Sequence, residues 1–316
     1  MTMSAQRQQP PLLWPMRRLR EVERAGGVTG WPAIPGLTMS AQTHPVLAEI
    51  VDQIADWDVP DGDVARVLTP KALPSTAPYL IAQYRMPFRS DRHFGASGYR
   101  HRRYGHVATA VGTGVVTVRP AGPLGVLIIR LKPEAAARLM GERMQDFVNE
   151  KIDLGHLFKA RDVSLLEGML MEAPDSATRL ARIESFLVQN LRECRSDPVV
   201  CRAAQCLRRN PSLRVARLAA QLDVSERHLS RNFRAMFGAS PKQFARIARI
   251  EKILAMRQRG SAWADIAYAC GFADQAHMIN DFDAIVGAPP QQLFRTTAVD
   301  ADREGNTPVG PDFLEC

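Results

Sequence analysis

Residues 213–237, read as LRVARLAAQLDVSERHLSRNFRAMF, restrict the fold of this chain more than any other stretch. Val215, Leu218, Ala219 and Leu222 recur at helical spacing and make one apolar stripe. Ala219 is small where a second helix has to cross closely. Asp223 stands where a tight turn wants a left-handed residue, a conformation Asp tolerates better than most. Ser225 offers its hydroxyl as an N-cap, and Leu229 and Phe233 point inward at i and i+4 of the helix it opens. Arg227, Ser230, Arg231 and Arg234 are left on the outer side. The spacing therefore predicts a short helix, a tight turn and a second helix with an apolar back and an arginine-rich front. Taken alone, an ordinary helical hairpin with a solvated basic face fits the same residues.

The pattern occurs twice. From Ala262 the chain reads AWADIAYACGFADQAHMINDFDAIVG. Ala267, Gly271, Phe272, Met278 and Phe282 answer Ala219, Asp223, Val224, Leu229 and Phe233, with one extra residue after the turn. Gly238 and Pro241 follow the first copy as Gly287 and Pro289–Pro290 follow the second, Gly ending one helix and Pro starting the next. Between the copies, residues 241–259 read as one long helix with Phe244, Ile247, Ile250 and Leu254 as its buried seam. Leu213, Val215, Leu218, Leu222, Leu229, Phe233, Ile266, Phe272, Met278, Phe282 and Phe294 are expected in the core. A short helix, a tight turn and a basic-faced helix make a shape that lies in a DNA major groove. The duplication favours that reading over the plain hairpin.

This arrangement resembles the AraC/XylS family of bacterial transcription regulators. The resemblance covers about residues 197–295 and ends on G-x-P-P-x-x-x-F-R at Gly287 to Arg295. It implies a regulator that is not an enzyme and needs no cofactor. It implies two recognition helices entering successive major-groove segments of double-stranded promoter DNA, and RNA polymerase as a further partner if the protein activates. By the family's pattern Arg227, Ser230 and Arg231 face base edges, Arg234 reaches phosphate and His228 lies near the backbone. Arg is the commonest specific partner of guanine. In the second copy the matching outward positions are Gln275, Ala276, His277 and Asn280. The chain departs from the family here. An Arg usually found where Asn280 stands is absent, and Asp281 and Asp283 add negative charge to that helix. The second helix is thus expected to read bases weakly and to act mainly through the backbone amides at its N-terminus.

Charge distribution sharpens this expectation. Residues 197–260 carry 14 Lys/Arg against 4 Asp/Glu, a balance of +10, within a chain of net +8. Residues 261–297 carry Arg295 against four Asp, a balance of −3. Phosphate neutralisation dominates DNA affinity, so the first unit should grip and the second contribute less. No apolar run approaches the roughly 20 residues of a membrane helix, and no secretory signal is visible, so no membrane contact and a cytoplasmic location are expected. The five cysteines have no zinc-site spacing; Cys201 and Cys206 share a helical segment and read as buried thiols.

The full chain of 316 residues reads as a multi-domain α+β protein. Residues 1–38 read as a disordered N-terminal arm, with TMSAQ at 2–6 repeated at 38–42. Residues 39–145 read as a small antiparallel β-barrel or cupin-like domain with helices. A helix is predicted over 44–59, with Val46, Leu47, Ile50, Val51 and Ile54 on one face. Short strands are predicted at 64–68, 79–86, 99–111, 114–120 and 125–131, separated by Gly and Pro. The resemblance implies that this domain senses a small-molecule effector. Residues 146–196 read as helical, and the stripe Leu180, Ile183, Leu187 and Leu191 fits core packing and contact with a second copy in a homodimer equally well. Residues 197–297 form the all-α domain and 298–316 a disordered tail. His93, His101 and His106 are the only candidates for a metal site, but they lie among Arg92, Arg100, Arg102 and Arg103, which repel a cation, so no metal is expected. No catalytic constellation is present. The same arginines suit an anionic ligand or a solvated strand edge.

Overall fold

The computed structural model describes residues 13–14, 37–40, 44–68, 71–92, 100–103, 106–109, 116–141, 144, 151–194 and 196–291. Their N-terminal part builds strands β1 (Leu13–Trp14), β2 (Leu37–Ser40), β3 (Val51–Val59), β4 (Lys71–Ala72), β5 (Tyr79–Gln83), β6 (Arg89–Arg92), β7 (Arg100–Arg103), β8 (Val107–Thr109), β9 (Val116–Arg119), β10 (Leu124–Leu131) and β11 (Lys151–Asp153). They form two sheets, in the orders β11-β8-β5-β10-β3-β2 and β1-β4-β9-β6-β7. All pairings are antiparallel except the two-residue pair β1–β4.

The predicted helix over 44–59 is a 3-10 turn, Leu47–Glu49, followed by the nine-residue strand β3. The helical spacing has a physical source. Between β3 and β10 the register slips, so that Arg130 faces Gln53 while Leu131 faces Val51. A bulge of this kind flips the alternation of side chains. Val51 and Ile54, three apart, therefore reach the same core cluster. Residues 64–67, predicted as part of a strand over 64–68, belong to helix α1 (Gly62–Val67), because the Asp61 carboxylate caps it by accepting from the N–H groups of Asp63 and Val64. Residues 151–153, expected to be helical, pair with β8 instead. The expected arm falls largely outside the described residues, as do His93 and the tail. Two pieces of the arm are paired in sheets: Leu13–Trp14 beside β4, and Leu37–Ser40 along β3, so the expected boundary at 38 falls inside β2.

After α2 (Ala137–Met140), helices α3 (Ala160–Met171) and α4 (Ser176–Gln189) pack on the six-stranded sheet. Ile183 and Leu187 are buried in its core, with Leu180 and Leu191 packed beside them, so the α4 stripe is core. A buried charge network ties α4 to β3. Arg179 donates to Asp56 at 2.8 Å and to Asp58 at 3.0 Å, and its guanidinium lies 4.7 Å from the Tyr84 ring centre. The Tyr84 hydroxyl donates to Asp56 at 2.5 Å.

The remainder is helical: α5 (Pro198–Arg209), α6 (Val215–Gln221), α7 (Glu226–Phe237), α8 (Pro241–Gln258), α9 (Trp263–Ala269) and α10 (Gln275–Val286). The long helix α8 belongs to two cores. Its first half gives Phe244 and Ile247 to a cluster with Leu207, Leu218, Leu229 and Phe233. Its second half gives Ile250, Ile253 and Leu254 to a cluster with Ile266, Phe272, Met278 and Phe282. Leu73, from the loop between β4 and β5, is buried in that second cluster. Beside it Glu251, 5% exposed, accepts from the Ser75 hydroxyl (2.9 Å), the Thr76 N–H (3.0 Å) and the Thr76 hydroxyl (2.8 Å). The sheet region thus docks on the helical region through this buried carboxylate and Leu73, and also where Arg208 of α5 reaches Glu134 at 3.4 Å.

Candidate nucleic-acid interface

The two helix pairs, α6–α7 and α9–α10, are built with the same local devices. In the first, Asp223 takes φ 53°, and the Val224 N–H donates back to the Ala219 carbonyl at 3.1 Å. In the second, Gly271 takes φ 72°, and the Phe272 N–H donates to the Ala267 carbonyl at 2.9 Å. Ser225 caps α7 by accepting from the His228 N–H, and Asp274 caps α10 by accepting from the His277 N–H. Both long helices end on a left-handed glycine, Gly238 or Gly287. The cap follows the left-handed residue by two positions in the first pair and by three in the second, which is the extra residue seen in the sequence.

Gly271 carries a second constraint. A Cβ there would lie 2.1 Å from Ser212 Oγ, whose hydroxyl donates to the Cys270 carbonyl at 2.8 Å. At Gly287, also left-handed, nothing lies within 4 Å of an added Cβ. The left-handed backbone alone costs a non-glycine residue about 1–2 kcal/mol. Gly287→Ala is expected to lose about that much, and Gly271→Ala more, because Ser212 has to move as well. Equal shifts in urea midpoint for the two variants would show that Ser212 does not constrain the turn.

Aligned on their caps, the helices match residue for residue. Leu229, Phe233 and Phe237 correspond to Met278, Phe282 and Val286, all buried. The back of α7 is fixed by a ring cluster in which Phe233 lies 4.6 Å from Phe237 and 5.2 Å from Phe244 between centroids. That anchoring leaves Arg227, His228, Arg231 and Arg234 exposed and Ser230 half-buried, all on α7. His228 is within hydrogen-bond reach of Asn232 (3.1 Å), whose amide also donates to Asp197 at 3.2 Å. On α10 Gln275, Ala276, His277 and Asn280 are exposed. In this register His277 matches His228, while Ala276, Asn280 and Asp283 stand where α7 has Arg227, Arg231 and Arg234.

Asp281 does not lie on the open face. Its side chain is 15% exposed and accepts from Arg246 of α8 through Nε (3.1 Å) and Nη2 (2.6 Å). Its charge is matched inside the domain by Arg246, so of the two acids expected to add negative charge to this helix only Asp283 remains exposed among the described residues of α10. Arg249 is held too, with Nη2 donating to the Pro211 carbonyl at 3.3 Å and the guanidinium 4.8 Å from the Phe272 ring centre. These pairings could not be seen in residue counts, because their partners lie far apart in sequence.

The other candidates lead elsewhere. His106 is buried, with Nδ1 accepting from the Gln83 N–H at 3.0 Å and Nε2 3.3 Å from Glu167. Among the described residues no cluster of three His, Cys, Asp or Glu could hold a metal. Cys201 and Cys206 are half-buried rather than buried. Burial, with Glu134 and Asp197 nearby, pushes the Cys201 thiol up to about 11, away from a reactive thiolate. No described helix is long and apolar enough to cross a membrane.

A capped helix with a basic face, set behind a short helix and a left-handed turn, defines the helix-turn-helix class of DNA-binding domain. The family model described as "Helix-turn-helix domain" matches residues 218–296. This region is a helix-turn-helix domain of the AraC type, a DNA-binding fold. Comparison with curated proteins finds no match. Among solved structures, the C-terminal domain of AraT, a response regulator from Geobacillus stearothermophilus, is 27% identical, covering 33% of this chain and 88% of its own, with a TM-score of 0.31. ToxT from Vibrio cholerae is 11% identical, covering 77% of this chain and 97% of its own, with a TM-score of 0.42. A DNA-binding transcriptional dual regulator from Escherichia coli K-12 is 21% identical, covering 31% and 95%, with a TM-score of 0.27.

Proposed function

We propose that the protein binds double-stranded promoter DNA sequence-specifically, with α7 as the principal reading helix and α10 as a second, weaker one. The observation that carries this reading is the exposed row Arg227, Arg231 and Arg234 opposite the buried row Leu229, Phe233 and Phe237. Arg227, Ser230 and Arg231 read base edges, Arg234 contacts phosphate, and His228 is held beside the backbone. On α10 Gln275 and Asn280 are able to pair with adenine, Ala276 permits close approach, and His277 donates to a base or phosphate.

In this reading residues 197–297 are the DNA-binding domain with two helix-turn-helix units, and the sheet region is a barrel-like module that senses an effector or dimerises. The Glu251 junction supports it, because a change in the sheet region would reach α8, which both helix pairs share. Arg231→Ala is expected to cost about 1–3 kcal/mol of DNA affinity and to relax preference at one base position. Selection from a pool of oligonucleotides at fixed salt, run with wild type and variant, checks it. An unchanged motif refutes the base-reading role of Arg231.

A further inference from the structure

Between the two helix pairs lies a cleft of about 480 Å³. Its wall includes Glu226 and His277, which stand in the first turns of α7 and α10. A recognition helix meets base edges with its N-terminal residues. The strip of protein between two such first turns therefore faces the sugar-phosphate backbone that separates two successive major-groove segments. On the DNA-binding reading, the group presented to the cleft is the anionic phosphate that recurs along DNA.

The charges in the cleft suit that occupant. Arg214, Lys242, Arg246 and Arg249 line it against the carboxylates of Glu226 and Asp281. Arg246 is taken by Asp281, and Arg249 is engaged with Pro211 and the Phe272 ring. Arg214, just before α6, and Lys242, in the first turn of α8, are exposed, and their side chains make no hydrogen bond or ion pair among the described residues. Two uncommitted cations thus flank one cleft, one at the N-cap of α6 and one in α8. The fixed Arg246–Asp281 pair braces α10 against α8 behind them.

We infer that this cleft seats one backbone phosphate, clasped by Arg214 and Lys242 with His277 beside it. The inference rests on the DNA-binding reading above and deepens it. It supplies what α10 lacks: the second unit is held on DNA by a phosphate contact made between the units, and its own helix does not need the arginines that α7 carries.

The test uses the full chain and a duplex carrying its selected site. Log–log plots of affinity against salt are measured for wild type, Arg214→Ala, Lys242→Ala and the double variant. Each lost phosphate contact should lower the slope by about one, and the double variant by about two, with the selected motif unchanged. A neutral methylphosphonate is also walked through the interval between the two motif blocks. Wild type should lose affinity at one position, and the double variant should be insensitive there. An unchanged slope in the double variant, or equal methylphosphonate sensitivity in both proteins, overturns the cleft assignment while DNA binding stands. Wild-type protein that binds no duplex at any salt overturns the DNA reading and the cleft together.

Discussion

Glu251→Ala is expected to destabilise the chain by about 3–5 kcal/mol, the range for removing one member of a buried charged network. The carboxylate is 5% exposed and satisfies three donors, the hydroxyls of Ser75 and Thr76 and the Thr76 N–H. Arg130, 3% exposed, lies 3.8 Å from its Oε1, so the negative charge also offsets a buried cation. Alanine leaves those donors facing a void, and each unsatisfied buried group costs about 1–3 kcal/mol before relaxation. Glu251→Gln keeps one oxygen acceptor but turns an amino group toward a donor, and should lose less. Urea unfolding of the single variants and of Ser75→Ala/Thr76→Val, alone and combined with Glu251→Ala, checks the network. Groups acting as a unit give strongly non-additive losses. Losses that simply add, or a Glu251→Ala loss under about 1 kcal/mol, would show that the junction is held by Leu73 and its apolar neighbours instead.

The helical third of the molecule was legible in the sequence because its signals are local. Caps, a left-handed turn residue and apolar spacing all fall within a dozen residues, and every core residue expected between 213 and 282 is buried or packed against one of the two helical clusters. The sheet region hid more. Val51 and Ile54 imitated a helix because a bulge placed both on one face of β3, and nothing in the local sequence marks a bulge. The cap at Asp61 is visible in the sequence, but Val64, Val67 and Leu68 around Arg66 suit a short strand as well as a helical turn. Charge pairing is hidden for a related reason. Asp281 counts as a negative charge on α10 until Arg246, on another helix, is seen to hold it. Long-range pairing also explains why Glu251 and Arg179 gave no sequence signal: their partners lie 175 and 123 residues away.

Arg179→Ala should have an effect of the same size in the sheet region, about 3–5 kcal/mol. Asp56 is 1% exposed and its ion-pair partner among the described residues is Arg179, whereas Asp58 retains Arg85 at 2.6 Å. Removing the guanidinium therefore strands Asp56 more than Asp58, and also takes a cation off the face of the Tyr84 ring. Arg179→Lys should recover little, because one ammonium cannot bridge both carboxylates as the planar fork does. Arg179→Met with Asp56→Leu should recover most of the loss, since a buried ion pair is commonly replaceable by apolar residues of similar volume although half of one is not. The alkaline limb of the stability curve carries a second signature. Burial, then the bond to Asp56, holds the Tyr84 phenol above its ordinary 10.0. A raised phenol favours the folded state fully below about pH 10, and that contribution fades as pH climbs toward the folded value. Tyr84→Phe should flatten this limb relative to wild type. A double variant no more stable than Arg179→Ala would mean that the network sets the α4–β3 geometry, and that apolar packing of equal volume cannot replace it.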